Sequence, residues 1–262
     1  MNPQSLPFMK TTLTLNSWVK CPKPNPQAKL RLFCFPYAGG WSLSFRTWSD
    51  NLPTTIEVCP IELPGRGTRS SEAPLTQLKP LIERLAQALL PQLDRPFAFF
   101  GHSMGGLVCF ELARFLRQNY GLIPSHLFVS GRGAPQLPRQ EPPIHGLPEP
   151  EFIEELRRLN GTPEAVWAHP ELRELLLPAL RADFAILETY VYTPAPPFDW
   201  PITAFGGLQD LEVSCEELEA WRVQTSASFS LRMIPGDHFF LHSGKTFLFQ
   251  LLSQELQNYV VR

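Results

Sequence analysis

A serine between glycines is the feature of this sequence best suited to covalent chemistry. The segment G-H-S-M-G at residues 101–105 matches the pattern G-x-S-x-G, with Ser103 at its centre. The pattern alone is weak, but here it follows the apolar run Phe97–Phe100 and opens a helical pattern. The start of a helix also favours an anionic intermediate. We therefore predict that Ser103 is a nucleophile. The alternative is a serine that only builds a tight turn or binds phosphate.

A serine nucleophile needs a base, and histidine is the usual one. The chain has six histidines, of which only His238 and His242 follow the last predicted strand. In folds that use this serine turn, the order along the chain is serine, acid, histidine. His238 comes directly after the strand pattern FSLRMI and the turn PGD, so we predict it as the base. His242 is the alternative.

The acid that orients the histidine should follow the strand before the last one. Asp210 stands there, behind the Gly-Gly pair of GGLQD, and we predict that it holds the imidazole tautomer. A turn-capping aspartate is the structural alternative. Glu212 is the main competing acid. Asp199 precedes the strand, and the side chains of adjacent residues such as Asp237 and His238 point apart in extended backbone.

The charge that develops on a substrate oxygen needs backbone N–H donors. One donor should come from the residue after the nucleophile, Met104, and the second from the loop after the first core strand. That loop reads FPYAGG. We predict the N–H of Ala38 as the second donor, with Tyr37 as the alternative.

The elements that must position these residues alternate between strand and helix. Such alternation predicts an α/β fold, with a mostly parallel sheet covered by helices on both faces. Thr76 is predicted to cap the first long helix. The predicted strands cover residues 30–35, 57–63, 97–100, 127–130, 202–205 and 229–234, and the predicted helices cover 76–93, 104–118, 216–221 and 244–259.

One stretch breaks the alternation. Residues 131–200 show no strand pattern and begin with a proline-rich loop, followed by helical patterns near 150–159, 164–168 and 171–190. We predict a helical lid insertion over about 135–198. Residues 1–29 are interpreted as a leader with one edge strand around Thr12–Val19, and residues 30–262 as a single domain.

Composition excludes several classes of protein. The 262 residues are 44% hydrophobic and carry a net charge of −2, so neither wholesale disorder nor a broad basic surface for nucleic acid is expected. No apolar run reaches the ~18 residues of a membrane span, and the N-terminus lacks a signal-peptide core. Five cysteines without a C-x-x-C pair predict no disulfide framework or metal site, with three buried as small hydrophobes. A reducing cytoplasm is expected.

Six short motifs together resemble one family. FPYAGG, ELPGRG, GHSMGG, SGRGAP, GGLQD and GDHFFL occur in the order and spacing of the type II thioesterases of nonribosomal peptide and polyketide synthesis. The resemblance runs from about Leu30 to Tyr259. The chain is also similar to the medium-chain fatty acyl thioesterases of fatty-acid synthesis.

This resemblance implies an α/β-hydrolase fold with a helical lid. It also implies hydrolysis of acyl or aminoacyl thioesters on the phosphopantetheine arms of carrier proteins, which removes stalled or misprimed units or, in some members, releases product. By this resemblance, the catalytic triad consists of Ser103, Asp210 and His238. The oxyanion donors are the N–H groups of Met104 and Ala38. No metal or bound cofactor is implied, because the pantetheine belongs to the partner. With no assembly motif visible, a monomer is expected.

Other functions remain open at this point. The same fold serves acyl-CoA thioesterases and small esterases, and sequence separates these poorly because the lid determines the substrate. A non-catalytic relative that binds acyl carriers is a further class, although all three triad residues are present. Four arginines could meet a phosphate or an acidic carrier protein, against the simpler interpretation as solvated surface residues: Arg66, Arg132, Arg157 and Arg158.

Overall fold

The structure is a computed structural model that describes residues 17–260. The predicted leader before residue 17, with most of the predicted edge strand, lies outside the described residues. Of that strand, Val19 forms an isolated antiparallel bridge with Ile61. Across the described range, no helix has both the length and the apolar character that crossing a bilayer requires.

Within residues 17–260, six strands form one sheet in the order β2-β1-β3-β4-β5-β6, and every pair is parallel. The predicted parallel sheet is thus confirmed. Its carboxyl ends meet at one edge, where α/β folds place their sites. The strands are β1 (Leu30–Phe35), β2 (Ile56–Pro60), β3 (Phe97–His102), β4 (His126–Ser130), β5 (Ile202–Gly207) and β6 (Phe229–Ile234).

Both faces of the sheet are apolar and covered. Side chains alternate along β1, so that Phe33 and Phe35 join one hydrophobic cluster while Leu32 and Cys34 join another. Helices α1 and α2 cover the first face and α8 covers the second. The helices are α1 (Leu78–Leu89), α2 (Met104–Tyr120), α3 (Glu149–Arg158), α4 (Glu164–Trp167), α5 (Pro170–Glu188), α6 (Cys215–Glu219), α7 (Phe240–Ser243) and α8 (Lys245–Val260).

Three helices, α3, α4 and α5, lie between β4 and β5, where the lid insertion was predicted. They enclose a hydrophobic cluster of their own, which includes Phe152, Trp167 and Leu180. Further along α5, Ile186 belongs instead to the main core. The lid therefore has its own packing, and its last helix also packs into the domain below. The boundaries at residues 29/30 and about 135–198 stay predictions.

The prediction that Thr76 caps the first helix is wrong. Helix α1 begins at Leu78, and its N-cap is Gln77, whose side chain makes no capping hydrogen bond. A cap at Thr76 would put Pro80 at the fourth helical position, where its ring meets the carbonyl group of Thr76. Starting at Leu78 keeps Pro80 in the first turn, which tolerates proline.

Two smaller expectations can also be compared with the structure. The second strand ends at Pro60, before the predicted end at Leu63. Cys34, Cys59 and Cys109 are buried free thiols, as predicted from their apolar surroundings.

Candidate active site

Ser103 lies at the sharp turn between β3 and α2. Its φ of 51° and ψ of −113° fall in a region that residues other than glycine rarely adopt. Its N–H donates a 2.7 Å hydrogen bond to the carbonyl oxygen of Ser130 at the end of β4. Strained backbone of this kind persists only where the surroundings hold it, and it is common at active sites.

The turn can form because the residues around it have no side chain. A Cβ on Gly101 would lie 2.1 Å from the carbonyl oxygen of Gly105. A Cβ on Gly105 would lie 2.2 Å from the carbonyl oxygen of Phe35, the last residue of β1. Such contacts are too short for any real Cβ atom. The two glycines of the motif thus allow the serine turn to sit tightly between β1 and α2.

Asp210 and His238 are joined by a hydrogen bond. Nδ1 of His238 lies 2.9 Å from Oδ2 of Asp210, whose carboxylate is fully buried. Oδ1 of Asp210 accepts the backbone N–H groups of Glu212 and Val213, at 2.8 and 3.2 Å. The carboxylate is therefore held by its own loop and faces the histidine with its other oxygen.

The His238 ring lies beside the serine turn. A Cβ on Gly131 would lie 3.3 Å from Cε1 of His238 and 2.8 Å from Cε1 of His102, so both rings border this residue. Gly131 directly follows Ser130, whose carbonyl group holds Ser103. His102 is fully buried, and its Nδ1 lies 2.9 Å from Oγ of Ser130. Burial holds the pKa of His102 well below its ordinary value, so its ring is neutral; the centre of this ring lies 5.3 Å from that of His238.

The competing residues have other partners. The Glu212 carboxylate lies 3.5 Å from Nη1 of Arg158 in the lid. Nε2 of His242 lies 3.1 Å from the hydroxyl group of Tyr37, and burial lowers the pKa of this histidine. The Asp237 carboxylate accepts a hydrogen bond from the N–H of Phe239, whereas the Nδ1 of His238 contacts Asp210.

In the loop after β1, some backbone N–H groups have a hydrogen-bond partner and others do not. The N–H of Gly40 donates to the Tyr37 carbonyl group, and the N–H of Gly39 donates to Asp183 of the lid, both at 2.8 Å. Among residues 17–260, the N–H groups of Ala38 and Tyr37 find no hydrogen-bond partner. Met104 begins α2, where N–H groups have no partner within the helix. The predicted donors are therefore available, and Ala38 and Tyr37 both remain candidates.

The lid contacts three of the segments that carry predicted site residues. It meets the loop after β1, the loop that holds Asp210 and the loop that holds His238. A Cβ on Gly39 would lie 2.6 Å from Cδ2 of Leu180, a Cβ on Gly161 would lie 2.7 Å from Cζ of Phe239, and Arg158 pairs with Glu212. The lid thus borders the site at three loops that neighbour the serine turn: after β1, after β5 and after β6.

Arg66 is not the surface residue that the sequence suggested. It is buried, and its Nη1 and Nη2 donate to the two carboxylate oxygens of Asp183 at 2.6 and 2.7 Å. Neither a phosphate nor a carrier protein can reach its guanidinium without breaking this pair. Sequence reasoning missed Asp183, although an aspartate within the apolar run ADFAIL of a helix is a signal for a buried ionic partner.

The other three arginines differ in exposure. Arg132 is half-buried, and burial lowers its pKa to about 10. Arg157 and Arg158 are exposed on α3, where they pair with Glu164 and Glu155, at 3.0 and 3.1 Å. Of the four, Arg157 and Arg158 are the ones that fit the interpretation as solvated surface residues.

The arrangement fits acyl transfer through a serine. A strained serine, a histidine held by a buried carboxylate and free N–H groups at a helix start are the parts that nucleophilic acyl chemistry needs. Within residues 17–260, no cluster of three or more histidine, cysteine, aspartate or glutamate side chains is arranged to hold a metal ion.

Comparisons with known proteins agree with this chemistry. The family model "Thioesterase domain" matches residues 30–256. Gramicidin S biosynthesis protein GrsT of Aneurinibacillus migulanus is 50% identical over 243 residues, which cover 93% of this chain and 95% of GrsT. Linear gramicidin dehydrogenase LgrE of Brevibacillus parabrevis is 49% identical over 257 residues, covering 97% of this chain and 98% of LgrE.

A solved structure is also similar. The type II thioesterase BorB from the borrelidin biosynthetic cluster has a TM-score of 0.84 and 35% identity, covering 92% of this chain and 98% of BorB. The name of LgrE refers to a different reaction, but the family model covers most of this chain and determines its family. The chain is a hydrolase that acts on thioesters, and it belongs to the thioesterase family of the α/β-hydrolase fold, among relatives that are type II thioesterases of nonribosomal peptide and polyketide synthesis.

Proposed function

We propose that this chain hydrolyses acyl or aminoacyl thioesters on the phosphopantetheine arms of carrier proteins and so removes stalled or misprimed units from a nonribosomal peptide or polyketide synthase. The observation that carries the chemistry is the hydrogen bond between Asp210 and His238 beside the Ser103 turn. The relatives named for gramicidin S and borrelidin biosynthesis support the synthase setting.

In the proposed acylation step, His238 takes the proton of the Ser103 hydroxyl as the oxygen attacks the thioester carbonyl carbon. Asp210 keeps the His238 tautomer and stabilises the imidazolium. The N–H groups of Met104 and Ala38 bind the oxyanion. When the tetrahedral intermediate collapses, the thiol leaves with the proton from His238, and an acyl-serine remains.

In the second step, His238 takes a proton from water, and the resulting nucleophile attacks the acyl-serine. The same N–H groups bind the second oxyanion. Collapse releases the acid and returns the proton to Ser103. The proposal needs no resident cofactor or metal, because the pantetheine arrives on the partner protein. We further propose that the chain acts as a cytoplasmic monomer on carrier proteins.

The experiment presents one short acyl group in three forms to the purified chain: on a phosphopantetheinylated carrier protein, on coenzyme A and as a small oxygen ester. Intact mass spectrometry follows the loss of the acyl group, and Ser103→Ala is the control. We expect the carrier-bound form to be cleaved at least about tenfold faster than the others. We expect Ser103→Ala to lose at least about 10³-fold in kcat.

Each other outcome has a definite meaning. If coenzyme A or the oxygen ester is cleaved as fast as the carrier-bound form, the chain is an acyl-CoA thioesterase or an esterase, and the carrier-protein proposal is wrong. If the wild-type chain leaves the short group in place on the carrier protein, the proposed removal of misprimed units is wrong, and product release is then tested with a complete product on the same carrier protein. Wild-type rates in Ser103→Ala would contradict the serine mechanism.

A further inference from the structure

We propose that Asp183, a lid residue held by Arg66, is a positioning residue that fixes the loop from which the second oxyanion donor comes. This inference rests on the proposed function, because it assigns the lid a part in the chemical step. Asp183 lies on α5, 80 residues after Ser103 along the chain, and carries no reacting group itself.

The contact joins the two segments directly. Oδ2 of Asp183 accepts the backbone N–H of Gly39 at 2.8 Å. Gly39 follows Ala38, so the hydrogen bond fixes the peptide unit next to the N–H that is proposed to bind the oxyanion. Gly39 has a φ of 75° and packs against Leu180, one turn before Asp183 on α5. Helix α5 therefore determines the path of the loop at this residue.

The carboxylate cannot turn away, because Arg66 holds both of its oxygens. Nη1 and Nη2 of Arg66 donate to Oδ2 and Oδ1 at 2.6 and 2.7 Å, and Nη1 also lies 3.3 Å from the Gly40 carbonyl oxygen. Asp183 and Arg66 are 1% and 6% exposed, so solvent does little to weaken the pair. A buried bidentate pair of this kind fixes the orientation of both side chains, whereas its net contribution to the free energy of unfolding is often small.

The far end of the same loop is held in the same way. Glu62, which is 1% exposed, accepts the backbone N–H of Ser42 at 3.0 Å and that of Thr68 at 2.8 Å. Glu62 and Arg66 both belong to the segment ELPGRG, which the catalytic steps themselves do not use. The segment thus contacts the loop after β1, here called the oxyanion loop, on either side of Trp41. Asp183 adds a third contact with this loop, at Gly39.

Two variants test the hydrogen bond between Asp183 and Gly39, and they differ in how much they threaten folding. Asp183→Asn keeps the volume but presents amide hydrogens to either Arg66 or Gly39. Arg66→Met with Asp183→Leu removes the whole pair without leaving a buried charge, a kind of replacement that proteins often tolerate. Each variant is assayed with an acyl-pantetheine thioester, so that docking of a carrier protein does not enter the measurement.

Glu188→Gln is the matched control. Glu188 is also a buried carboxylate on α5, and it accepts backbone N–H groups, those of Ile144 and His145 at 2.9 and 3.0 Å. Those residues belong to the entrance of the lid and not to the oxyanion loop. Glu188→Gln should therefore lower thermal stability while changing kcat by less than about threefold.

The readout separates positioning from folding. Affinity is measured for an acyl trifluoromethyl ketone, which forms an oxyanion with the serine, and for an unreactive thioether. Loss of one oxyanion donor costs about 10²–10³-fold in kcat in a serine protease. We expect a loss of about 10²-fold in kcat for the double variant and at least about tenfold for Asp183→Asn. KM and thioether affinity should change by less than about threefold, and ketone affinity should fall in parallel with kcat.

A folded variant of either kind with wild-type kcat would overturn the inference. So would an equal loss of affinity for the ketone and the thioether, since that pattern indicates a damaged pocket. If the double variant does not fold, Asp183→Asn decides alone. Failure of the proposed thioester hydrolysis looks different, because then the wild-type chain itself would not hydrolyse the acyl-pantetheine. Failure of the carrier-protein assignment alone would appear only in the comparison of the three acyl carriers and would leave this test unchanged.

Discussion

The backbone N–H of Glu212 donates a 2.8 Å hydrogen bond to Oδ1 of Asp210. The two acids that compete in the sequence for one role therefore do different things. The backbone of Glu212 helps to fix the Asp210 carboxylate, whose other oxygen meets His238, while the Glu212 side chain extends to the lid.

Asp210→Asn should lower kcat by about 10³–10⁴-fold, because an amide cannot stabilise the imidazolium and favours the wrong histidine tautomer. Glu212→Gln is the matched control, since it leaves the backbone N–H in place. It should keep kcat within about threefold of wild type. Steady-state kinetics on one acyl thioester measure both, and a large loss in Glu212→Gln would reassign the acid.

Substitution of the two histidines should separate their roles. His238→Ala should lose at least about 10³-fold in kcat, because it removes the imidazole that Asp210 orients. His242→Ala removes a ring that contacts the ring and the hydroxyl group of Tyr37, so we expect less than a tenfold loss. Burst kinetics of acyl-enzyme formation measure both. If His242→Ala proves as inactive as His238→Ala while remaining folded, the choice between them is wrong.

Gly105→Ala should destabilise the fold by more than about 3 kcal/mol, since its Cβ would lie 2.2 Å from the carbonyl oxygen of Phe35. Gly146→Ala is the control, because no atom lies within 4 Å of a Cβ there and its φ is not in the left-handed region. That change should be neutral or slightly stabilising. Chemical denaturation gives both free energies of unfolding, and equal values would contradict the close packing of the turn.

The stability of the protein should fall in acid partly through His126. Burial lowers the pKa of His126 from 6.5 to about 3, while in the unfolded chain it stays near ~6.5. Between these values the unfolded state binds one more proton, so the free energy of unfolding falls as the pH falls. The loss begins near pH 6.5 and ends near pH 3.

His126→Gln should remove this part of the pH dependence. Denaturation at several pH values should give a slope near pH 5 that is shallower by about 1.4 kcal/mol per pH unit. His102 and the carboxylates titrate in both proteins and cancel in the difference. An unchanged slope would show that His126 is protonated in the folded state.

Much of the fold could be predicted from local patterns. The bounds of β1 and β6 agree with the predicted ones. The largely apolar run of β1 is typical of a buried strand, while β6 alternates apolar and polar side chains as a partly buried strand does. The Asp210–His238 hydrogen bond was also expected, since the order of strands determines which loops meet at the sheet edge. The start of α1 was predicted wrongly. The need to keep Pro80 in the first helical turn outweighs the capping preference of Thr76.

The Arg66–Asp183 pair could not be predicted in this way. The two residues are 117 positions apart, and no local sequence pattern around either one indicates which residue it pairs with. Arginine is usually exposed, so its type pointed to the surface. What buries it is the way α5 packs on the loop after β1, and this depends on the tertiary structure and not on local sequence.

Helix α5 also determines how lids could be exchanged between members of the family. Leu177 and Leu180, near its middle, pack in the lid cluster, while Ile186, near its C-terminal end, lies in the main core. Pro178 lacks the N–H that would continue the helical hydrogen bonds at this point. A graft that takes the whole insertion would carry away the residue that holds the oxyanion loop. Chimaeras whose foreign segment ends inside α5, before Asp183, would keep the Arg66–Asp183 pair and its hydrogen bond to Gly39.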